Sequence, residues 1–504
     1  MILPINLKMT KSKLVISSLL GGALLLCFSA TTVAQKKEIQ YKVEASAQAS
    51  SESTLPFWLV SNRNGIIPDK KSERLYLGFN KNYNRNEVFD WTLGADAAIS
   101  SGFHKTALVN QYYIGLKYTK IKLFLGAKNP EIDLDGLSFT NGNLIMAGNA
   151  RPYPKIEIGS IDYINVPYTN GWLGVKAVLS NGWLLDDRYV SHVNLHHKNF
   201  FIRFGKEKGF SLEAGIDHYV QWTGISPVYG QLEGGLKAFA KILIAKEGAV
   251  LTTSNGGTSR NEADNSLGNH IGQNQVKLNY NLNKFSVSFF MKNMFEDRSG
   301  EVRKIYNVRD IYYGLHLKLH QIKIVKSILV EYYSSLHQGS DEIAPDGSVC
   351  GYDSYFNNSI YRSGWSNYHR GFGLPLNSPS TINDDNSIYF LNTSMKAFNF
   401  GFTGAYKKLQ YLFKATMYKN YGQVYPVVND KSLPIEDWTV RKEFTVDPQE
   451  YQKHFLLELS LPQNKIPFDI SASFAYDSGD IYKENFGLML KISRTGFISN
   501  MLKK

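Results

Sequence analysis

Apolar and polar residues alternate with a period of two along most of this chain. In "QVKLNYNL", Val276, Leu278, Tyr280 and Leu282 fall on one face and Lys277, Asn279 and Asn281 on the other. "FSVSFFM" sets Phe285, Val287, Phe289 and Met291 against Ser286 and Ser288. "YGLHLKLH" sets Tyr313, Leu315, Leu317 and Leu319 against His316, Lys318 and His320. "HFLLELSL", "FDISASFAY" and "NFGLMLKI" repeat the scheme near the C-terminus. This is the period of β-strands, and it predicts strands from about residue 73 to residue 494. Few segments show helical spacing.

Most of these segments reach the ~9–11 residues that a tilted membrane strand requires. The links between them fall into two kinds. Those after "NYNL", after "LHQ" and within "LPQNKIPF" are short, whereas those near 245–273, 338–386 and 422–450 are long and polar. Counting strands places the three long links at one end and the C-terminus at the other. The expected fold is therefore all-β, a transmembrane antiparallel β-barrel of about 16–18 strands with long extracellular loops. A secreted or periplasmic β-sandwich array is the competing reading, but it gives no reason to sort loops by end. Pairs such as Tyr112-Tyr113, Tyr312-Tyr313 and Tyr332-Tyr333 are expected in the interfacial girdles of the barrel.

The first residues add an address. Lys8, Lys11 and Lys13 precede an apolar run from Leu14 to Phe28, and small residues lead to an expected cleavage after Ala34. The run falls short of the ~20 residues of a spanning helix. Leu26 stands before Cys27 where a lipoprotein signal would need a small residue. The expected division is a signal peptide at 1–34, an N-terminal segment at 35–72 that partly plugs the lumen, and a barrel at 73–504. Removing the signal takes away three lysines and no acid, which lowers the formal net charge from +12 to +9. An exported chain with that modest excess suits an anionic surface or glycan and not a nucleic acid. Cys350 is then the only cysteine, so no intrachain disulfide is expected. No linker divides the chain and no fixed repeat runs through it, which argues against propellers and solenoids.

The stretch "NARPYPKIEIG" places Ile156 and Ile158 on one strand face and Lys155 and Glu157 on the other. In a barrel, the two charged residues face the lumen. Pro152 and Pro154 exclude helix and restrain the chain before that strand.

Several stretches carry a family resemblance. "LPFWLVSNRNGIIP" (55–68), "GNARPYPKIEIG" (148–159), "NGWLGVKAVLSNGWLLDDRYV" (170–190) and "YKNYGQVYP" (418–426) resemble the Wzi-type capsule assembly proteins, outer-membrane barrels of Gram-negative bacteria. The resemblance is densest from Leu55 to His197. It implies a large closed barrel of nearly eighteen strands that acts as a surface lectin for exported capsular polysaccharide, with the export channel a separate protein. Well-known members carry an N-terminal helical bundle that plugs the periplasmic mouth. Here "EIQYKVEASAQASS" (38–51) alternates like a strand, which leaves loops or the 55–72 segment to close the lumen.

Candidate ligand residues follow from chemistry. The loop 351–373 mixes Tyr352, Tyr355, Tyr361, Trp365 and Tyr368 with Asp353, Arg362, His369 and Arg370. Sugar rings stack on aromatic faces, and their hydroxyls and carboxylates need planar donors. Tyr355, Tyr361, Arg362, Trp365, Tyr368 and Arg370 are thus glycan candidates, although the same loop could serve only as a cap over the mouth. Arg151, Asp186, Asp187 and Arg188 either contact the glycan or pair with one another to fix loops. Trp58, Trp91, Trp172, Trp183, Trp222 and Trp438 are assigned to girdle or lumen packing.

No G-x-S-x-G or H-E-x-x-H motif appears. No catalytic residue, metal ligand or cofactor is expected. The expected partners are capsular or other surface polysaccharide and outer-membrane lipid, bound by a monomer in the outer membrane. The alternatives are a diffusion porin and a barrel hydrolase with a lumenal Ser/His or Asp/His pair.

Overall fold

The computed structural model describes residues 39–101, 106–259, 261–264, 266–296, 309–338, 342–343, 349–350, 354–422, 445–464 and 466–498. The expected signal peptide, Trp438, Lys504 and most of the 422–450 link lie outside these residues.

Eighteen strands form one closed antiparallel barrel. They are β1 (Gln40–Ser50), β2 (Ser72–Lys81), β3 (Phe89–Ser101), β4 (Thr106–Tyr118), β5 (Ile121–Ala127) and β6 (Lys155–Ser160). Next come β7 (Leu173–Trp183), β8 (Asn194–Gly205), β9 (Gly209–Trp222), β10 (Asn269–Asn281), β11 (Phe285–Glu296) and β12 (Ile311–Leu319). The remaining six are β13 (Ser327–Ser334), β14 (Ser394–Tyr406), β15 (Leu409–Gly422), β16 (Thr445–Leu461), β17 (Asp469–Gly479) and β18 (Asn485–Phe497). Each strand pairs with its neighbours in sequence, and β1 closes on β18 from Gln40 opposite Phe497 to Ser50 opposite Gly487.

That closure corrects the expected boundary. The barrel begins at Gln40 and not at residue 73, because β1 supplies the seam between β2 and β18. Glu44, Ser46 and Gln48 point inward and are buried, while Val43 is exposed on the other face.

The faces are inverted relative to a soluble sheet. Val276, Leu278 and Tyr280 are exposed while Asn279 is buried, and Leu315 is exposed while His316 is buried. Ile156 and Ile158 are half exposed, and Glu157 is buried in ion pairs with Lys122 and Lys155. Apolar side chains outward and polar ones inward are what lipid outside and a polar lumen select. The girdle expectation fails for half of two tyrosine pairs. Tyr313 and Tyr332 face outward and stack at 5.2 Å. Tyr312 and Tyr333 point into the lumen and are buried, because adjacent residues of a strand must face opposite sides.

The ends differ as the loop count requires. Turns at 119–120, 206–208, 282–284 and 407–408 share one end with the outer ends of β1 and β18. The links 128–154, 223–268 and 335–393 share the other. In outer-membrane barrels the short turns are periplasmic and the long loops extracellular.

Three of the long links turn inward and fill the barrel. The 51–71 segment carries helix α1 (Phe57–Val60), with Trp58 and Leu59 fully buried. The 128–154 segment contributes Leu137, Phe139, Leu144 and Ile145, and the 335–393 link contributes Tyr355, Trp365, Phe372 and Leu376. Backbone bonds tie the segments together: Asn64 N–H to Gly148 O at 2.8 Å, Ala147 N–H to Phe372 O at 2.8 Å, and Leu374 N–H to Leu144 O at 3.0 Å. The inward polar residues of the wall then serve the plug. Asp477 accepts from Phe57 N–H at 2.8 Å, Glu331 from Phe139 N–H at 3.2 Å, and Gln273 from Leu144 N–H at 3.1 Å. Buried loop backbone needs such partners, and here the strands supply them.

A second helix, α2 (Gly235–Leu243), lies outside the barrel against β8–β10. Gly235, at φ +80°, turns the chain onto it in a conformation that side chains other than glycine seldom adopt.

Candidate ligand site at the loop end

The 354–373 stretch is a buried scaffold with one exposed tip. Trp365 is fully buried and its indole N–H donates to Ile145 O at 2.8 Å. Tyr355 is fully buried, and its hydroxyl donates to Asp310 at 2.8 Å. Tyr361 is 3% exposed. Their rings pack in the plug and present no face to a sugar, which corrects the expected stacking role of Tyr355, Tyr361 and Trp365. Nothing in the local sequence marks which rings turn inward.

The tip is a tight hairpin in which Ser366 pairs with Gly371 and Asn367 with Arg370. Its two turn residues, Tyr368 (φ 49°) and His369 (φ 63°), occupy the left-handed region that such turns demand. Asn or Gly ordinarily takes these positions, and non-glycine residues there cost roughly 1–3 kcal/mol each. The surrounding contacts hold them. Tyr368 N–H donates to Asp186 at 2.9 Å, and Asn367 donates to Arg151 O at 2.9 Å. The Arg151 guanidinium lies 3.8 Å from the Tyr368 ring centroid and donates to Val109 O at 2.7 Å. Arg370 donates to Asp69 at 2.6 Å and to Ile67 O at 3.1 Å. Arg188 is buried, donates to Ser366 O at 3.3 Å and stands 3.4 Å from Asp186. Asp187 is exposed beside them. Arg362 lies over the Tyr189 ring at 5.1 Å.

The structure thus gathers Arg151, Asp187, Arg188, Tyr368 and Arg370 from three separate links onto one mouth. Tyr368 and His369 are exposed, whereas Arg188 is buried beneath them. Asp69 was not legible as a member, since nothing in the 51–71 segment marks one carboxylate as the partner of a hairpin 301 residues away. His369 had a signal: a two-residue turn between paired dipeptides must project both side chains.

Burial raises the Tyr368 phenol above its usual pKa, with the Arg151 charge opposing. Behind the tip, burial pushes the Asp310 carboxyl up to about 6, against the lowering effect of hydrogen bonds from His337 N–H, Tyr355 and Gln338 N–H.

Among the described residues, two arrangements that resemble hydrolase pairs depart from the geometry of a Ser/His/Asp relay. His316 contacts both Ser327 Oγ (2.7 Å) and Asp135 (3.3 Å), but through the same Nε2 atom. A relay needs the serine and the carboxylate on opposite ring nitrogens. His454–Asp477 (2.7 Å) is fully buried, with Phe57 stacked on the imidazole at 4.2 Å. Among the described residues no cluster of His, Cys, Asp or Glu is arranged to hold a metal ion.

Lumenal cavities flank the plug. One, of about 400 Å³, is lined by Lys42, Glu44, Arg63, Arg74, Glu458 and Lys491 among others. Another, of about 300 Å³, is lined by Arg203, Glu213, Lys277 and Lys318 among others.

No protein-family model matches the chain, and no curated protein matches it in sequence. Solved structures do match in fold. Wzi of Escherichia coli, described as a carbohydrate-binding β-barrel involved in group 1 capsule assembly, aligns over 94% of this chain and 86% of its own at 13% identity, with a TM-score of 0.54. OccK1 of Pseudomonas aeruginosa aligns over 91% and 98% at 10% identity with a TM-score of 0.45. OprD of the same organism aligns over 92% and 95% at 8% identity with a TM-score of 0.42. At these identities the likeness is one of fold. The chain is an outer-membrane β-barrel.

Proposed function

We propose that this barrel is closed to diffusion and binds a surface polysaccharide non-covalently at its loop end, helping to attach and assemble it there. One observation carries the reading: a packed apolar core, from Trp58 through Phe139 to Trp365 and Phe372, occupies the space where a porin would conduct. A lumen so filled serves as a rigid base for its mouth. The mouth offers Tyr368 as a stacking surface, Arg151 and Arg370 as planar donors, and Asp187 with His369 for sugar hydroxyls. An acidic polysaccharide would balance the arginines. The carbohydrate-binding description of Wzi, together with the shared fold and the sequence patches at 148–159 and 170–190, supports this choice of ligand. The protein acts as a monomer without catalysis.

The test is a binding screen of the purified protein against acidic and neutral surface glycans. We expect binding that Tyr368→Ala and Arg151→Ala each weaken by about 1–2 kcal/mol. Arg151→Ala should become less costly at high salt, because an exposed ionic contact is screened. Binding that survives both substitutions unchanged, or no binding to any glycan, would overturn the proposal.

A further inference from the structure

The outer wall near the loop end contains a polar fault. Residues that alternate with the lumenal Leu195, His197, Asp217, Tyr219, Gln221 and Ile271 must face outward. These are His196 and Lys198 on β8, His218 and Val220 on β9, and His270 on β10. On the same strands nearer the short turns, outward positions hold Phe200, Phe204, Val276 and Leu278, all exposed as a lipid-facing band requires. Histidine and lysine at lipid-facing positions are costly unless covered.

They are covered. His196, His218 and Val220 have no exposed surface and His270 has 3%. The cover is α2 with the segment that follows. Ala238, Ile242 and Leu267 pack on Val220 and Trp222. Phe239 meets the His196 ring edge-on at 5.3 Å. Lys198 donates to Leu243 O at the helix C-terminus, where a cation is favoured. His270 bonds His218 at 3.1 Å and Leu267 O at 2.9 Å. The polar residues beneath α2 therefore hold it to a wall that otherwise meets lipid.

Among the described residues, no protein segment covers the outer apolar flank of α2. Leu236 is 89% exposed and Ile244, just past the helix, is 71% exposed. In a nine-residue helix at 100° per residue, Leu236 and Leu243 lie on one flank and Lys237 and Lys241 on the other. Lys241 pairs with Glu233 at 2.6 Å, and Lys237 and Lys246 are exposed. One face on the barrel, one apolar flank and one basic flank suit a helix lying in the plane of a membrane surface.

We propose that α2 is an interfacial anchor in the outer leaflet, with Leu236, Leu243 and Ile244 among acyl chains and Lys237 and Lys246 on the phosphates of an anionic lipid. The anchor would fix how deep the barrel sits and how its mouth is oriented.

The test uses the full chain with Cys27→Ser and Cys350→Ser, carrying an environment-sensitive fluorophore at Leu236→Cys, in nanodiscs of phosphatidylcholine with or without bisphosphorylated lipid A. Folding is checked by heat-modifiable gel mobility, and a label at His369→Cys serves as the aqueous control. The Leu236→Cys label should show blue-shifted emission, quenched by brominated acyl chains and not by aqueous iodide. Lys237→Gln with Lys246→Gln should lower lipid A retained in native mass spectrometry by about tenfold. Inorganic phosphate should not displace it. Iodide quenching at position 236 would overturn the membrane placement. An acyl-buried label with unchanged lipid A retention, or displacement by free phosphate, would overturn the headgroup assignment.

Discussion

Trp365 and Tyr368 stand three residues apart and do different work. Trp365 is enclosed by Tyr219 and Phe372, with ring centroids at 5.9 and 5.7 Å, so its removal leaves a cavity. Trp365→Ala should cost about 3–5 kcal/mol and lower the unfolding temperature, whereas Tyr368→Ala should leave that temperature nearly unchanged. Thermal melts of the two variants in detergent check the contrast. Asp310 gives a pH signature. Its folded pKa of about 6 exceeds its ordinary 3.8, so the folded state binds more protons between those values. Its contribution is full below about pH 4 and is lost as pH rises through about 6. The 354–393 segment should resist limited proteolysis better at pH 5 than at pH 7.5, and Asp310→Asn should flatten the difference. An equal pH dependence in the variant would remove Asp310 as its source.

At the scale of elements, the plug separates two roles for the same loops. The 51–71 and 128–154 segments bond to each other and to the wall, and the 335–393 link rests on both. The intact protein should pass almost no ion current in a planar bilayer. Replacing residues 354–392 with a short Gly/Ser linker should leave a folded barrel, because β13 and β14 pair directly from Ser327 opposite Thr403 to Ser334 opposite Lys396. That variant should conduct measurably and lose glycan binding. High conductance of the intact protein would instead favour a porin.

Across the whole molecule, closure of β1 on β18 fixes the direction of every strand and hence the side of every loop. Epitope tags in the 223–268 link and at 384–386 should be labelled on intact cells, and tags at 282–284 and 462–468 only after permeabilisation. Labelling of the short turns on intact cells would reverse the orientation.

The sequence by itself determined the barrel. Lipid on one side and a polar lumen on the other act on every residue of every strand, so the alternation is written locally in "QVKLNYNL" as in "NFGLMLKI". The loop ends were legible for the same reason, because strand parity needs only counting. Even β1 was legible as alternation, but its small residues Ala45, Ala47 and Ala49 left its partners unspecified until β18 arrived beside it. Tertiary structure alone decided the interior. An aromatic loop such as "SIYRSGWSNYHRGFG" reads the same whether its rings meet sugar or other rings, and only the arrival of the 128–154 segment buries Trp365 and leaves Tyr368 outside. The nine residues of α2 gave too brief a helical signal to stand out among strands, and their place on the outer wall depends on His196, Lys198 and His270, which come together only when β8, β9 and β10 pair. Strand periodicity is imposed by the medium, residue by residue. The plug, the mouth and the outer helix are imposed by contacts between segments tens to hundreds of residues apart, which no local pattern records.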